Sequence, residues 1–122
     1  MELNELQKVY LDFIKKREWE EFHTPKNLVM ALSSEVGELT DLFLWSNSKD
    51  SYQILSTARS EKVKEELGDV FLYLIRLAQV LDVDLVDLGH RKLAKNALKY
   101  PVDLSRGNAQ KYTELGLDQG SN

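Results

Sequence analysis

Residues 33–42 read SSEVGELTDL. Glu35 and Glu38 stand three positions apart, a spacing that on a helix puts both side chains on one face with β-carbons about 5–6 Å apart. Carboxylates held that close repel each other unless a cation or a proton lies between them. The pattern returns at residues 65–74, EELGDVFLYL, where Glu66 and Asp69 keep the spacing and Gly68 falls where Gly37 does. A glycine inside a helix costs about 1 kcal/mol relative to alanine. One inside each acidic pair predicts two helices that approach closely there and gather four acids around one point.

Working outward from these segments, the periodicity predicts an all-α fold with four main helices. Leu3, Leu6, Val9, Tyr10, Phe13 and Ile14 give an apolar stripe over residues 2 to about 18. Thr24-Pro25 reads as an N-cap followed by proline in the first helical position. The second helix is expected from Pro25 to about Trp45, its stripe made of Leu28, Leu32, Leu39 and Phe43. SNSKDS at 46–51 reads as a loop, Tyr52 to Leu55 as a short turn, and Ser56 as a cap. A third helix is expected over about 57–81, with Val63, Leu67, Val70, Leu74, Leu77 and Leu81 as its stripe. The Asp-Val-Asp at 82–84 breaks it and caps a fourth, which ends near Lys99 at Tyr100-Pro101. The expected division is a helical catalytic domain over 1–101 and a polar C-terminal tail over 102–122.

The six consecutive apolar residues from Val70 to Ile75 make the third helix hydrophobic round much of its circumference, the mark of a buried helix. Four short helices cannot cover it on all sides, so an oligomer built on the second and third helices is expected.

Composition narrows the classes. The chain has 122 residues, 43% hydrophobic, no cysteine and a net charge of −4. That size suits one modest core. Without cysteine there are no disulfides, thiolate metal sites or thiol nucleophiles. MELNELQKVY lacks the basic start and apolar run of a signal peptide, and no stretch approaches the roughly 20 apolar residues of a membrane span. A cytoplasmic protein is expected, with no membrane partner. The absence of a basic cluster argues against nucleic acid. An acidic protein can still bind a polyphosphate when a metal bridges the like charges.

Acids at helical spacing usually form a solvated face. Here Leu32, Val36 and Leu39 flank one pair, and the other opens the most apolar run in the chain. Carboxylates at the border of a core call for a hard cation, magnesium or its substitute manganese. A di-iron site would need Glu-x-x-His on two helices. Glu20 and His23 precede the second helix, and Asp87 with His90 stands far from the acids in sequence, so that alternative fails. Trp19 and Trp45 sit at helix edges beside polar residues, where tryptophan commonly fastens a helix end. Together they also suit a platform for a nucleobase, at about 1–3 kcal/mol of stacking per base, with Phe22 and His23 nearby. Lys92 and Asn96 share a face of the fourth helix and would serve as phosphate ligands beside a metal–triphosphate.

Glu35-x-x-Glu38, a gap of 27 residues and Glu66-x-x-Asp69 resemble the signature of the MazG-like, all-α nucleoside triphosphate pyrophosphohydrolases. REWEEFHTPKNL at 17–28, Phe43, Trp45, Tyr73, Tyr100-Pro101 and KYTEL at 111–115 resemble that family's dCTP pyrophosphatase branch. The resemblance covers Leu6 to Leu115. It implies hydrolysis between the α and β phosphates of a dNTP, with magnesium on Glu35, Glu38, Glu66 and Asp69. It also implies a base pocket using Trp19 and Trp45, sugar or phosphate contacts from Tyr73, Lys92 and Asn96, and a homotetramer arranged as a dimer of dimers. At the position of Tyr10 the branch carries a histidine. Tyrosine there, with His23 at the polar edge of the pocket, opens the site to other dNTPs, such as dUTP or dATP, beside dCTP. The competing class is a non-catalytic helical interaction protein, which accounts for the apolar helix but leaves the duplicated acidic pairs unexplained.

Overall fold

The computed structural model describes residues 2–109, and among them every regular element is helical. In chain order these are α1 (Leu3–Lys16), α2 (Pro25–Phe43), α3 (Ser48–Ser51), α4 (Ser60–Leu81), α5 (Leu85–Lys99) and α6 (Val102–Ser105), with 3₁₀ turns at Glu20–Phe22 and Ile54–Ser56. KYTEL lies outside the described residues. The chain separates into two units, one ending at Val83 and one beginning at Asp84.

In the first unit, α1 turns Leu3, Leu6, Tyr10 and Ile14 inward, while Val9 and Phe13 stay exposed at the edge of the expected stripe. Arg17 Nη1 donates to the Phe13 carbonyl at the helix end. Glu18 then adopts a left-handed conformation (φ 53°) and turns the chain into the 3₁₀ segment. The Thr24 hydroxyl accepts from the Asn27 amide, and Pro25 opens α2. The Asn27 side chain reaches back to the Phe22 carbonyl, which fixes the residues between the two helices.

The principal helix packing is α2 against α4. Ile14, Leu28, Ile54, Val63, Ile75 and Ala78 are the buried apolar residues. The inward face of α4 therefore differs from the expected stripe. Leu67, Leu74 and Leu81 are exposed, and with Phe71 they form an uncovered apolar face. Val63 is buried as expected, and it is joined on the inward side by Glu66, Ile75, Arg76 and Ala78.

Three local expectations change. The 46–51 stretch contains a helical turn, because the Asn47 side chain accepts from the Asp50 amide and nucleates α3. The start of α4 is Ser60, and Ser56 is no cap: Thr57 ends the preceding 3₁₀ turn with its hydroxyl on the Ile54 carbonyl. The glycines are not points of close helix approach, since a β-carbon at Gly37 or Gly68 would meet nothing within 4 Å.

Asp82 closes α4 in the left-handed conformation (φ 54°), and the Val83 amide returns to the Ala78 carbonyl. In the second unit the Asp84 carboxylate caps α5 by accepting from the Asp87 amide. Asp87 in turn pairs with Arg91 at 2.8 Å. Tyr100-Pro101 ends α5 as expected, and the four-residue α6 follows.

Candidate functional site

α2 contributes Glu35 and Glu38, and α4 contributes Glu66. One oxygen from each of these three carboxylates lies within 4.8 Å of the others. Helical spacing explains the pairing on α2, and the packing of α2 on α4 carries Glu66 to it. Glu66 is 2% exposed, Glu35 is half-buried and Glu38 opens to solvent. Asp69, three residues beyond Glu66, is exposed and outside that triple, yet its charge is felt at Glu35.

The electrostatics of this cluster favour a cation. The facing Glu66 carboxylate, then burial, Glu38 and Asp69 push Glu35 up to about 7 from its ordinary 4.5. Glu66 moves the other way, held down by Lys62, whose ammonium meets its Oε1 at 2.9 Å, and by its contact with Glu35. Glu35 Oε2 and Glu66 Oε2 are buried without a hydrogen-bond partner among the described residues. Orphaned buried carboxylate oxygens are costly. Three converging carboxylates with two such oxygens fit a hard divalent cation, whose oxygen ligands would satisfy them.

A second cluster lies in the same unit. The Trp19 ring meets Phe13 edge-on at 5.7 Å between centroids, and Phe13 neighbours Tyr10 at 6.5 Å. Tyr10 is half-buried, and burial together with Tyr73 raises its phenol, a rise that Arg76 opposes. His23 accepts a 2.9 Å hydrogen bond at Nδ1 from Arg76 Nε. Tyr10 and His23 are thus linked to Tyr73 and Arg76 of α4, while Trp19 joins Tyr10 through Phe13 of α1.

Trp45 is not among them. It follows the end of α2 at 86% exposure, without a ring contact among the described residues. Lys92 and Asn96 lie one turn apart on α5, in the second unit, with Lys92 exposed and Asn96 half-buried.

Sequence reasoning passed over two residues that the structure puts at these clusters. Lys62 is one, and its signal was the i, i+4 spacing to Glu66. Arg76 is the other, a lone cation inside the apolar stretch FLYLIRLAQVL.

A MazG-like family model matches residues 30–115. dCTP pyrophosphatase 1 of Mus musculus is 42% identical over 114 residues, covering 93% of this chain and 67% of that protein. The Homo sapiens protein of the same name is 40% identical over the same shares. A crystal structure of a pyrophosphatase from Archaeoglobus fulgidus is similar with a TM-score of 0.76 at 37% identity, covering 81% of this chain and 92% of that one.

Proposed function

This chain belongs to the MazG-like family, and from that premise we propose that it hydrolyses a deoxynucleoside triphosphate, dCTP or a close relative, to the monophosphate and pyrophosphate. The observation that carries this is the triple of carboxylates Glu35, Glu38 and Glu66 within 4.8 Å, at the packing of α2 on α4. A non-catalytic interaction protein has no use for buried carboxylate oxygens without partners.

Glu35, Glu38 and Glu66 would hold the ion, with Asp69 completing the set from the next turn of α4. Magnesium, or manganese in its place, supplies charge neutralisation of the triphosphate when bound. The protein's own part is binding and orientation. Glu38, the solvent-facing member, positions the attacking water and takes up its proton as the oxygen bonds to the α-phosphorus. The bond from that phosphorus to the bridging oxygen breaks, and pyrophosphate leaves. Trp19 stacks on the base from the Phe13–Tyr10 side, Trp45 closes over it from the end of α2, and His23 and Tyr10 face its polar edge. Tyr73 contacts the sugar or a phosphate, and for Lys92 and Asn96 on α5 a phosphate role is supported by the family resemblance alone. The exposed face of Leu67, Phe71, Leu74 and Leu81 on α4, with Val29, Met30 and Val36 on α2, supports assembly into a homotetramer, a dimer of dimers. A cytoplasmic location accompanies this function, since the dNTP pool is there.

Pyrophosphate release from a panel of dNTPs, with and without EDTA, tests the activity. The expected result is metal-dependent release with dCTP among the best substrates. No release from any dNTP, or full release in excess EDTA, refutes it. Light scattering tests the assembly, which a 14.1 kDa species at micromolar concentration would exclude.

A further inference from the structure

We propose that Arg59 and Lys62, at the start of α4, form the subsite for the β- and γ-phosphates, the pyrophosphate that leaves. This rests on the hydrolase reading above, and the experiment that closes it separates the failure of one from the failure of the other.

Arg59, Lys62, Glu66, Asp69, Tyr73 and Arg76 follow one another at alternating steps of three and four residues. Such steps put all six on one face of a helix. Arg59, at the N-cap of α4, keeps a helical backbone (φ −82°) and so belongs to that face. Three cross-links show what lies opposite it. Arg76 Nε meets His23 Nδ1 at 2.9 Å, just ahead of α2. A Glu66 oxygen lies within 4.8 Å of oxygens of Glu35 and Glu38, inside α2. Arg59 Nη1 meets the Leu42 carbonyl at 2.9 Å, in the last turn of α2. The opposing residues ascend in number as those of α4 descend, so the two helices run antiparallel and the polar face of α4 follows their seam.

The order along that seam gives the substrate a direction. His23 and Tyr10, linked to Tyr73 and Arg76, stand at the base end of the proposed site. The carboxylates come next, at the reacting phosphate. The two remaining phosphates then lie beyond the carboxylates on the side away from the base, and that side is the start of α4. At 1.5 Å of rise per residue, Lys62 stands about 6 Å past Glu66 along the axis and Arg59 about 10 Å past it. Both are within the combined span of a triphosphate and a long basic side chain.

Charge and exposure agree with that place. Lys62 Nζ lies 2.9 Å from Glu66 Oε1, and its side chain is 57% exposed. An ammonium has three donors, and Glu66 engages one of them. The charge of Glu38, the solvent-facing member of the triple, also bears on Lys62, which puts the ammonium at the open side of the cluster. Arg59 is exposed, and among the described residues it has no carboxylate within 4 Å. Its guanidinium offers five donors in a fork suited to phosphate, of which Nη1 is engaged at Leu42. The positive end of the α4 dipole adds the same sign. A triphosphate beside four acids needs such cations for the phosphates farthest from the ion. Lys62 holds Glu66 in the metal-free protein and turns to the phosphates once an ion occupies the carboxylates.

The two cations act differently on the reaction. As the water oxygen bonds to the α-phosphorus, the bond to the bridging oxygen breaks. Its electron pair stays on that oxygen, and negative charge grows on the β-phosphate. Lys62, nearer the carboxylates, meets the growing charge and favours the transition state. Arg59 holds the γ-phosphate, whose charge changes little, and contributes binding shared by ground and transition states.

Calorimetry of inorganic pyrophosphate in saturating magnesium, with dCMP as the control ligand, tests the subsite without turnover. Lys62→Met and Arg59→Met should each weaken pyrophosphate by about tenfold, as expected for loss of a charge-assisted hydrogen bond, and leave dCMP unchanged. The loss in Lys62→Met is opposite in sign to the effect of removing a competitor for Glu66 on the binding of magnesium alone. Arg59→Lys, which keeps the charge but not the fork, should recover part of the affinity. Circular dichroism checks that each variant is folded. In steady-state rates with dCTP, Lys62→Met should lower kcat, whereas Arg59→Met should chiefly raise KM. With wild type active on a dNTP, unchanged pyrophosphate affinity in the folded double variant, or an equal loss for dCMP, overturns this inference alone. A wild type inert to every dNTP overturns the hydrolase reading and this one with it.

Discussion

Replacing Glu35 with glutamine should stabilise the metal-free protein, and the gain should depend on pH. The Glu35 carboxyl is pushed up to about 7 by the facing Glu66, burial, Glu38 and Asp69, against an ordinary 4.5. A carboxyl whose folded value lies above its unfolded one contributes stability that is fully present below the unfolded value. That contribution is lost as pH rises through the folded value. The window is therefore about 4.5 to 7. At about 1.4 kcal/mol per pH unit, the total at stake is on the order of 3 kcal/mol. Glutamine keeps the shape and an N–H donor toward Glu66, and it never ionises. Urea unfolding in EDTA should show Glu35→Gln ahead of wild type by less than about 1 kcal/mol at pH 5. At pH 8 the variant should be more stable by about 2–3 kcal/mol. Glu66 does not blur the result, because its lowered value confines its own effect to pH below its ordinary range. The same linkage requires that a divalent ion binding at pH 6 release close to one proton, and far less at pH 8. Calorimetry in buffers of different ionisation enthalpy measures that release. A stability difference that is flat from pH 5 to pH 8, or a variant that is weaker at pH 8, would refute the assignment of repulsion to this cluster.

Lys62 competes with any cation for Glu66, so Lys62→Met should bind magnesium several-fold more tightly at pH 8 by calorimetry; unchanged or weaker binding would show that the 2.9 Å pair is no competitor. Gly68→Ala has open space for its methyl group and should raise helix stability by up to about 1 kcal/mol. A Gly68→Ala protein that loses its assembly instead would mean that another copy covers α4 there. Trp45→Ala should raise KM with little change in kcat, because stacking is shared by ground and transition states, and an unchanged KM for every dNTP would remove Trp45 from the pocket.

The helices were legible because their signals are local. Thr24-Pro25 and Asp84 cap where the sequence says they should, and the acidic spacing on α2 needs only helical geometry. The convergence of Glu66 with that pair was anticipated for a wrong reason, as the glycines leave open space and the packing of α2 on α4 does the work. Which face of α4 turns inward was not legible. The helix is apolar on several sides, so periodicity alone could not choose between the Leu67–Leu74 face and the Ile75–Ala78 face. Arg76 escaped notice because its partner His23 lies 53 residues away in sequence, beyond the reach of local spacing. The turn of α3 depended on the Asn47 side chain closing on Asp50, a preference easily read as a plain loop.

The two connections that flank α2 differ in how much chain they can absorb. Before it, the left-handed Glu18, the 3₁₀ turn and the Asn27 clasp on Phe22 leave no slack between α1 and Thr24. A single inserted residue there would rotate Trp19 and His23 out of register with Phe13 and Arg76. After it, α3 is a single turn that carries its own cap, and the ends of the segment are held by Arg59 Nη1 on the Leu42 carbonyl at 2.9 Å whatever lies between. Exposed Tyr52 and Gln53 sit at the middle of that segment. A peptide tag or a reporter placed there lengthens a loop whose closure entropy grows only slowly with length, and leaves both acidic helices where they are.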